Sequence, residues 1–176
     1  MYHKNPEQFI RKVSDLILET KVDTVIDHIT YEKIDGEYDS NIFTSNSNVN
    51  LEKAFKSEKC INDYVVFDST VEKDFALELE KHDEVCVYAK LPRSFQIPTP
   101  VGDYAPDWAI AFNKGTVKHI YFIAETKGAE KEQDRKGIEN AKIACASKLF
   151  NMISTEGVKY HSVTSYDSLL AAMDAV

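Results

Sequence analysis

Apolar positions along the chain recur with two periods, one typical of helices and one typical of strands. Helical spacing predicts a helix that opens at Asn5-Pro6, and further helices at about 70–82, 132–152 and 166–175. Short, strongly apolar runs predict strands at 60–68, 84–91, 107–113, 119–125 and 158–163. From residue 70 onward the predicted order is therefore helix, three strands, helix and strand.

Capping and turn residues mark where several elements begin. Asn5 is suited to cap the first helix, with Pro6 at its first position and Gln8 at the capping-box position. Ser69 or Thr70 is suited to cap the next helix. Asp35-Gly36 is a hairpin-type turn signal, and 45–50 is a predicted loop whose last Asn caps a short helix from Leu51.

The order of elements predicts an α/β (α+β) fold in which helices flank a central mixed sheet. Residues 70–176 form the predicted main domain. Residues 1–69 form a predicted small N-terminal α+β extension, the tail of a larger subunit. A chain of 176 residues that is 43% hydrophobic is large enough for one full core with a smaller unit.

Composition narrows the class of protein. No apolar run reaches the roughly 18 residues of a membrane span, and the N-terminus lacks a secretory signal. Three widely spaced cysteines favour reduced thiols, so we expect a cytoplasmic protein. The net charge of −8 is uneven: residues 1–88 carry −9 and residues 89–176 carry +1. The acidic balance predicts weak non-specific affinity for DNA, and only the second half is suited to face a polyanion.

The segment YFIAETKG (121–128) joins an apolar strand run to two charges. Because alternate strand residues share a face, Glu125 and Lys127 are expected to emerge together where the strand ends. Pro106-Asp107 opens the preceding strand run, and pairing of the two strands would bring Asp107 to the same edge.

Two carboxylates and an ammonium in one cleft suit metal-assisted phosphodiester chemistry. Asp107, Glu125 and the backbone carbonyl of Thr126 are candidate oxygen ligands for Mg²⁺. Lys127 is the candidate to position the attacking water and to offset charge on the phosphate. Pro-Asp followed after 17 residues by Glu-x-Lys is the PD-(D/E)xK nuclease signature. Taken alone, the same residues fit a salt bridge at a strand end.

A longer stretch resembles a specific family. The run 91–110 (LPRSFQIPTPVGDYAPDWAI), followed by YFIAETKG, resembles the C-terminal endonuclease domain of the restriction (Res) subunit of type III restriction-modification enzymes. NPEQFI, DYVVFD and DSTVEKDFALELE also resemble it, so that the resemblance covers nearly the whole chain. Ala105 departs from the Asn expected before Pro-Asp.

This resemblance implies a restriction-endonuclease-like αβββαβ core and a DNA endonuclease that hydrolyses phosphodiester bonds in double-stranded DNA. It implies Mg²⁺ as cofactor, with Mn²⁺ as a substitute. It implies a modification (methyltransferase) subunit and a helicase-like motor region as partners, and no membrane. ATP would serve the motor, because this sequence has no phosphate-binding loop of the GxxxxGK[ST] type.

Other residues carry weaker expectations. Glu72 matches the helix glutamate often found in this superfamily, and it fits a solvated helix position equally well. Lys142 follows Glu-x-Lys on a helix where a phosphate contact is common, although its position favours a lysine that faces solvent. Arg93, Ser94 and Gln96 are candidate DNA contacts in a Pro-rich loop. Trp108, Tyr104 and Cys145 are expected in the core. A catalytically silent nuclease-fold module that docks on DNA or on the modification subunit remains the alternative function.

Overall fold

The structure is a computed structural model that describes residues 5–31, 51–114, 117–123, 126, 137–153, 158–163 and 165–174. The predicted turn at Asp35-Gly36, the predicted loop at 45–50 and the first residues of the helix predicted from 132 lie outside these ranges.

Four α-helices are described: α1 (Pro6–His28), α2 (Thr70–Lys81), α3 (Gly137–Ile153) and α4 (Tyr166–Asp174). Their predicted starts are confirmed where they are described. The Asn5 side chain accepts a hydrogen bond from the Gln8 N–H at 3.0 Å, and Pro6 occupies the first turn. Ser69 accepts the Glu72 N–H at 3.2 Å and so caps α2. Each cap satisfies a backbone donor that the first helical turn leaves unpaired.

Six strands are described. A 3₁₀ turn (Leu51–Lys53) leads into β1 (Ala54–Lys56), which pairs antiparallel with β2 (Tyr64–Val66). The main sheet holds β3 (Val85–Lys90), β4 (Trp108–Lys114), β5 (Val117–Ile123) and β6 (Val158–His161), in that order. Its first two pairings are antiparallel, and β5 with β6 is parallel. The predicted αβββαβ core with a mixed sheet is confirmed.

The two faces of the sheet bury separate apolar clusters. On one face, Trp108, Ile110 and Phe112 alternate along β4 and pack against α2 and α4. On the other face, Tyr160 of β6 packs against α3 and against residues of the loop between β3 and β4. Alternate residues of a strand point to opposite faces, so each strand contributes to one layer at every second position. The predicted core positions of Trp108, Tyr104 and Cys145 are confirmed.

Residues 54–66 pack into the first of these clusters, through Val65 and Phe55. Residues 59–61 also bond to β3, because the Tyr88 N–H donates to the Lys59 carbonyl at 3.0 Å and the Ile61 N–H donates to the Tyr88 carbonyl at 2.9 Å. The short hairpin of β1 and β2 is thus built into the same core as α2. The domain boundary predicted at residue 70 stays a prediction.

A buried polar network strengthens this attachment. The Glu80 carboxylate of α2 accepts hydrogen bonds from the Ser57 hydroxyl, from the Tyr88 hydroxyl at 2.7 Å and from the Glu58 N–H at 3.2 Å. The Ser57 hydroxyl oxygen also accepts the Cys60 N–H at 2.7 Å. The carboxylate therefore has partners from β3 and from the loop after β1, as a half-buried charge requires.

Helix α1 packs on α3, where Lys148 donates a hydrogen bond to the Ile26 carbonyl. Within the described part of the chain, no helix is both long enough and apolar enough to cross a lipid bilayer.

Candidate active site

Asp107 lies at the junction between the Pro-rich loop and β4. The Leu91 N–H, just beyond the end of β3, donates to the Asp107 carbonyl at 2.7 Å. Trp108, the next residue, lies opposite Lys90 of β3 and Ile123 of β5. Asp107 is therefore held at the end of the central strand, between the ends of its two neighbours.

The Asp107 carboxylate contacts the segment that follows β5. Its Oδ2 accepts the Thr126 N–H at 3.3 Å. Thr126 stands between Glu125 and Lys127 in the sequence, and both of these predicted site residues lie outside the described residues. The contact is a direct link between the Pro-Asp and Glu-x-Lys elements, which are 17 residues apart in the chain.

Thr126 is itself fixed by the core. Its side chain is buried, and its hydroxyl accepts the Trp108 indole N–H at 3.4 Å. The Trp108 ring is fully buried and lies with its centroid 5.8 Å from Phe75 and 6.0 Å from Tyr88. Because the indole cannot shift without disturbing those rings, it places Thr126, and Thr126 contacts Asp107. Trp108 thus contributes both to the core and to the candidate site beside Asp107.

Glu72, the predicted accessory glutamate, is engaged in a cluster of charges at the start of α2. Its Oε2 accepts from Lys90 Nζ at 2.7 Å and from the Asp68 N–H at 2.9 Å. Lys90 also pairs with the Asp68 carboxylate at 3.1 Å. The Glu72 and Lys90 side chains are 15% and 22% exposed, so this pair is partly shielded from water. Glu72 therefore has a described structural role, which is to anchor Lys90 and the chain entering α2.

The same cluster lowers the pKa of the Asp68 carboxyl. The hydrogen bond and charge of Lys90 hold the pKa of the Asp68 carboxyl below its ordinary value, against a smaller effect of burial. Arg93 approaches the same carboxylate more loosely, at 3.8 Å, and its own side chain is 93% exposed. The cluster links the start of α2 to the residues that follow β3.

The predicted DNA-contacting residues lie on the surface near this cluster. Arg93 and Ser94 are the central residues of a turn closed by the Phe95 N–H, which donates to the Pro92 carbonyl at 2.8 Å. Arg93, Ser94 and Gln96 are all exposed. The turn follows directly after Leu91, which bonds to Asp107, so these side chains are presented close to the candidate site.

Lys142, the second predicted accessory residue, lies on α3. Its ammonium donates to the Asp103 backbone carbonyl at 2.9 Å. The described partner of this lysine is thus the loop that leads to Asp107.

His161 lies near this edge of the sheet, although the sequence pattern did not predict a site residue there. It ends β6 and lies opposite Ile123, the last residue of β5. Burial lowers the pKa of its imidazole, and the charge of Lys159 lowers it further, so the neutral ring is favoured. Its position could be found only from the pairing of β5 with β6, because no ligand-type spacing surrounds this histidine in the sequence.

The donors described at this edge fit a hard cation. The Asp107 carboxylate and the Thr126 backbone carbonyl can both supply oxygen ligands, and the two residues are in contact through the Thr126 N–H. Oxygen ligands are those that Mg²⁺ prefers. Among the described residues there is no group of three His, Cys, Asp or Glu side chains placed to hold a metal. Glu125, the second predicted carboxylate, lies outside them.

Comparison with known proteins identifies a family for most of the chain. A family model described as an endonuclease domain matches residues 58–166. The chain is similar to the Res subunit of the type III restriction-modification enzyme EcoPI from Escherichia phage P1, with 33% identity over 104 residues. It is equally similar to the EcoP15I Res subunit from Escherichia coli. Each alignment covers 58% of this chain and 10% of the relative, so the chain matches only a tenth of their length. No solved structure matches it.

Proposed function

Since the chain belongs to the family of endonuclease domains, we propose that it is the Mg²⁺-dependent nuclease unit of a type III restriction enzyme, hydrolysing phosphodiester bonds in double-stranded DNA. Its likeness to two Res subunits of type III restriction-modification enzymes supports this proposal.

One observation supports it most. The Asp107 carboxylate contacts the backbone of Thr126, the residue between Glu125 and Lys127. Consecutive Cα atoms are about 3.8 Å apart, so both charged residues are covalent neighbours of a residue that touches Asp107. A salt bridge at a strand end would not require this link to the Pro-Asp element.

In the proposed site, Asp107, Glu125 and the Thr126 carbonyl would hold the cation. When bound, the cation would supply Lewis-acid polarisation of a phosphoryl oxygen. Lys127 would orient the attacking water through its ammonium and offset negative charge that grows on the phosphate. Mn²⁺ would substitute for Mg²⁺, because it accepts the same oxygen ligands.

DNA would approach from the side of the Pro-rich loop. Arg93 is nearly fully exposed on the turn beside Leu91, where its guanidinium can reach a phosphate. Ser94 and Gln96 would contribute neutral hydrogen bonds to the backbone of the DNA. Contacts of this kind fix the position of the duplex and do not read its sequence.

The wider setting is part of the same proposal. A modification (methyltransferase) subunit and a helicase-like motor region would be the partners, and ATP would be used by that motor. The complex would act in the cytoplasm, against phage DNA.

The test separates chemistry from folding. Asp107→Asn retains an oxygen that can accept the Thr126 N–H but removes the charge, and Lys127→Ala removes the ammonium. In an assembled restriction complex that contains this chain, each is expected to abolish Mg²⁺-dependent cleavage with the unfolding temperature of the chain unchanged. Asp83→Asn is the matched control: this exposed aspartate precedes β3 at the end of the strand away from Asp107 and should leave cleavage intact.

A titration of the chain with Mn²⁺ completes the test. Wild-type protein is expected to bind the ion and Asp107→Asn to lose it. Cleavage that persists after replacement of Lys127 would refute the assignment of that residue. Absence of both metal binding and cleavage in the wild type would favour the catalytically silent docking module instead.

A further inference from the structure

The Pro-rich loop between β3 and β4 contains an ordered hairpin. The Ile97 N–H donates to the Tyr104 carbonyl at 2.7 Å, and the Tyr104 N–H donates back to the Ile97 carbonyl at 2.9 Å. Within it, the Gly102 N–H donates to the Thr99 carbonyl at 3.0 Å and closes a turn. We call residues 97–104 the 97–104 hairpin.

The base of the 97–104 hairpin is fixed by apolar contacts. Ile97 and Tyr104 are both 5% exposed and belong to the cluster formed with α3 and Tyr160. The Tyr160 hydroxyl also donates to the Tyr104 hydroxyl at 3.1 Å. The turn is different, because Pro98, Pro100, Gly102 and Asp103 are exposed. Burial therefore fixes the base of the hairpin but leaves its turn without apolar support.

Polar contacts hold the turn instead: the Thr99 hydroxyl donates to the Gly102 carbonyl within the turn, and Lys142 ties the turn to α3. Its ammonium crosses from α3 to the turn and donates to the Asp103 carbonyl at 2.9 Å. Gly102 suits this approach in two ways. Its φ of +108° is one that residues with side chains rarely adopt, and a Cβ placed there would lie 3.3 Å from Lys142 Cε and 3.4 Å from Nζ. The glycine leaves the space through which the lysine reaches the carbonyl.

The hairpin stands between two parts of the candidate site. The turn with Arg93 precedes it, and Asp107 follows Tyr104 by three residues. Pro106, between them, is fully buried and limits the freedom of the connecting chain. A change in the orientation of the hairpin would therefore shift the chain on both of its sides, towards Arg93 and towards Asp107.

We propose that Lys142 is a positioning residue, which clamps the turn of the 97–104 hairpin onto α3 and so fixes the DNA-facing loop beside Asp107. The inference rests on the proposed nuclease function for its consequence in DNA binding. The clamp itself is independent of that function. A lysine at this place on α3 would otherwise be taken as a phosphate contact, but its ammonium is bound to a carbonyl of the chain.

Three variants of the full 176-residue chain test the proposal. Lys142→Met removes the ammonium and keeps the aliphatic stem, and Lys142→Arg keeps a cation that can donate to the Asp103 carbonyl. Lys148→Met is the matched control. Lys148 lies on the same helix and also donates to a backbone carbonyl, that of Ile26 on α1, so its replacement removes an equal charge without touching the hairpin.

The first measurement is hydrogen exchange of the Gly102 amide, in the absence of DNA and metal. Lys142→Met is expected to speed this exchange about five- to tenfold, the size of effect expected from losing one hydrogen bond of ordinary strength, because this bond is exposed to water. Lys142→Arg should restore most of the protection, and Lys148→Met should leave it unchanged. Equal exchange in Lys142→Met and wild type would overturn the clamp.

The second measurement is the salt dependence of binding to a short DNA duplex, with Ca²⁺ in place of Mg²⁺. A lost phosphate contact lowers the slope of log K against log salt by about 0.9, whereas a positioning residue lowers affinity at every salt concentration alike. We expect Lys142→Met to bind about two- to fivefold more weakly than Lys148→Met with the same slope. A slope lower by about 0.9 than that of Lys148→Met would overturn the proposal in favour of a phosphate contact.

The two measurements distinguish the two failures. If wild-type chain binds no DNA at low salt, the proposed contact between this loop and DNA fails, while the exchange of Gly102 still decides whether Lys142 clamps the hairpin. If wild type binds DNA but the exchange does not respond to Lys142→Met, the positioning role fails and the proposed function stands.

Discussion

Tyr88→Phe tests the polar network that joins residues 57–60 to α2. The change removes only the hydroxyl that donates to Glu80 at 2.7 Å. The ring is fully buried, so its packing on Trp108 is kept. Glu80 retains its hydrogen bonds from Ser57 and from the Glu58 N–H. The expected loss is therefore one charge-assisted hydrogen bond to Glu80 and the longer contact of 3.3 Å with the Ser57 hydroxyl, and the Glu80 carboxylate keeps its other partners.

A hydrogen bond to a charged group contributes about 1.5–3 kcal/mol. Glu80 is half-buried, so water can replace part of the interaction and the lower end applies, about 1.5–2 kcal/mol. For a chain of this size that corresponds to a fall in unfolding temperature of about 3–8 °C. Urea unfolding at neutral pH measures it, and the m-value should not change.

The pH dependence sharpens the test. Burial by itself raises the pKa of Glu80, but the hydrogen bonds from Ser57, Tyr88 and the Glu58 N–H outweigh it and hold the pKa below its ordinary value. A carboxylate of this kind stabilises the fold above its ordinary pKa of about 4.3, and the stabilisation is lost as pH falls through the folded-state pKa. The difference between Tyr88→Phe and wild type should shrink over that acid range.

Tyr160→Phe is the control for this titration. Tyr160 is also a buried strand tyrosine, but its hydroxyl donates to a neutral partner, the Tyr104 hydroxyl. Its removal should cost about 0.5–1.5 kcal/mol with little change on acidification. The reasoning is refuted if Tyr88→Phe is neutral at pH 7, or if its cost is as large in acid as at neutral pH.

Three further predictions follow from described contacts. A chain that begins at residue 70 should lose cooperative urea unfolding, which one that begins at residue 51 keeps, because only the longer one retains Val65 in the core. Glu72→Gln should cost about 1–2 kcal/mol in urea unfolding, because Lys90 loses its closest partner; a tenfold fall in Mn²⁺ affinity would instead make Glu72 a ligand. Gly102→Ala should cost about 1–2 kcal/mol through its positive φ; an unchanged thermal midpoint would contradict that strain.

The main sheet and its helices could be predicted from the sequence because their signals are local. The run 107–113 alternates so that Trp108, Ile110 and Phe112 share a face, and the structure buries all three. The caps at Asn5 and Ser69 are also local, since each side chain bonds to a backbone N–H three residues on. Periodicity and capping need no knowledge of the tertiary fold.

Elements that depend on distant partners were missed or misjudged. β1 has only three residues and depends on its pairing with β2, so it is too short for the periodicity of the sequence to predict it. The strand predicted at 60–68 is shorter, at Tyr64–Val66, because residues 59–61 bond to β3 instead. The Pro-rich loop contains a hairpin whose base is buried against α3, a contact that its own sequence does not encode.

The candidate site likewise has residues that the sequence motif predicted and contacts that it could not predict. Asp107 and Thr126 were predicted from the motif, and the structure brings them into contact. Glu125 and Lys127 lie outside the described residues, so their roles stay predictions. The contact of Glu72 with Lys90 and that of Lys142 with the Asp103 carbonyl could not be inferred, because the partners lie 18 and 39 residues apart in the chain.

The bonds between residues 59–61 and Tyr88 have a consequence for assembly. In the order of the main sheet, β3 is an outer strand, and unpaired backbone groups on an outer strand invite another strand to add. The Tyr88 N–H and carbonyl are already occupied by Lys59 and Ile61, and a register shift between Val85 and Val87 breaks the regular ladder. This side of the sheet is therefore protected against edge-to-edge pairing, and two copies of the chain that associate would have to meet through other surfaces.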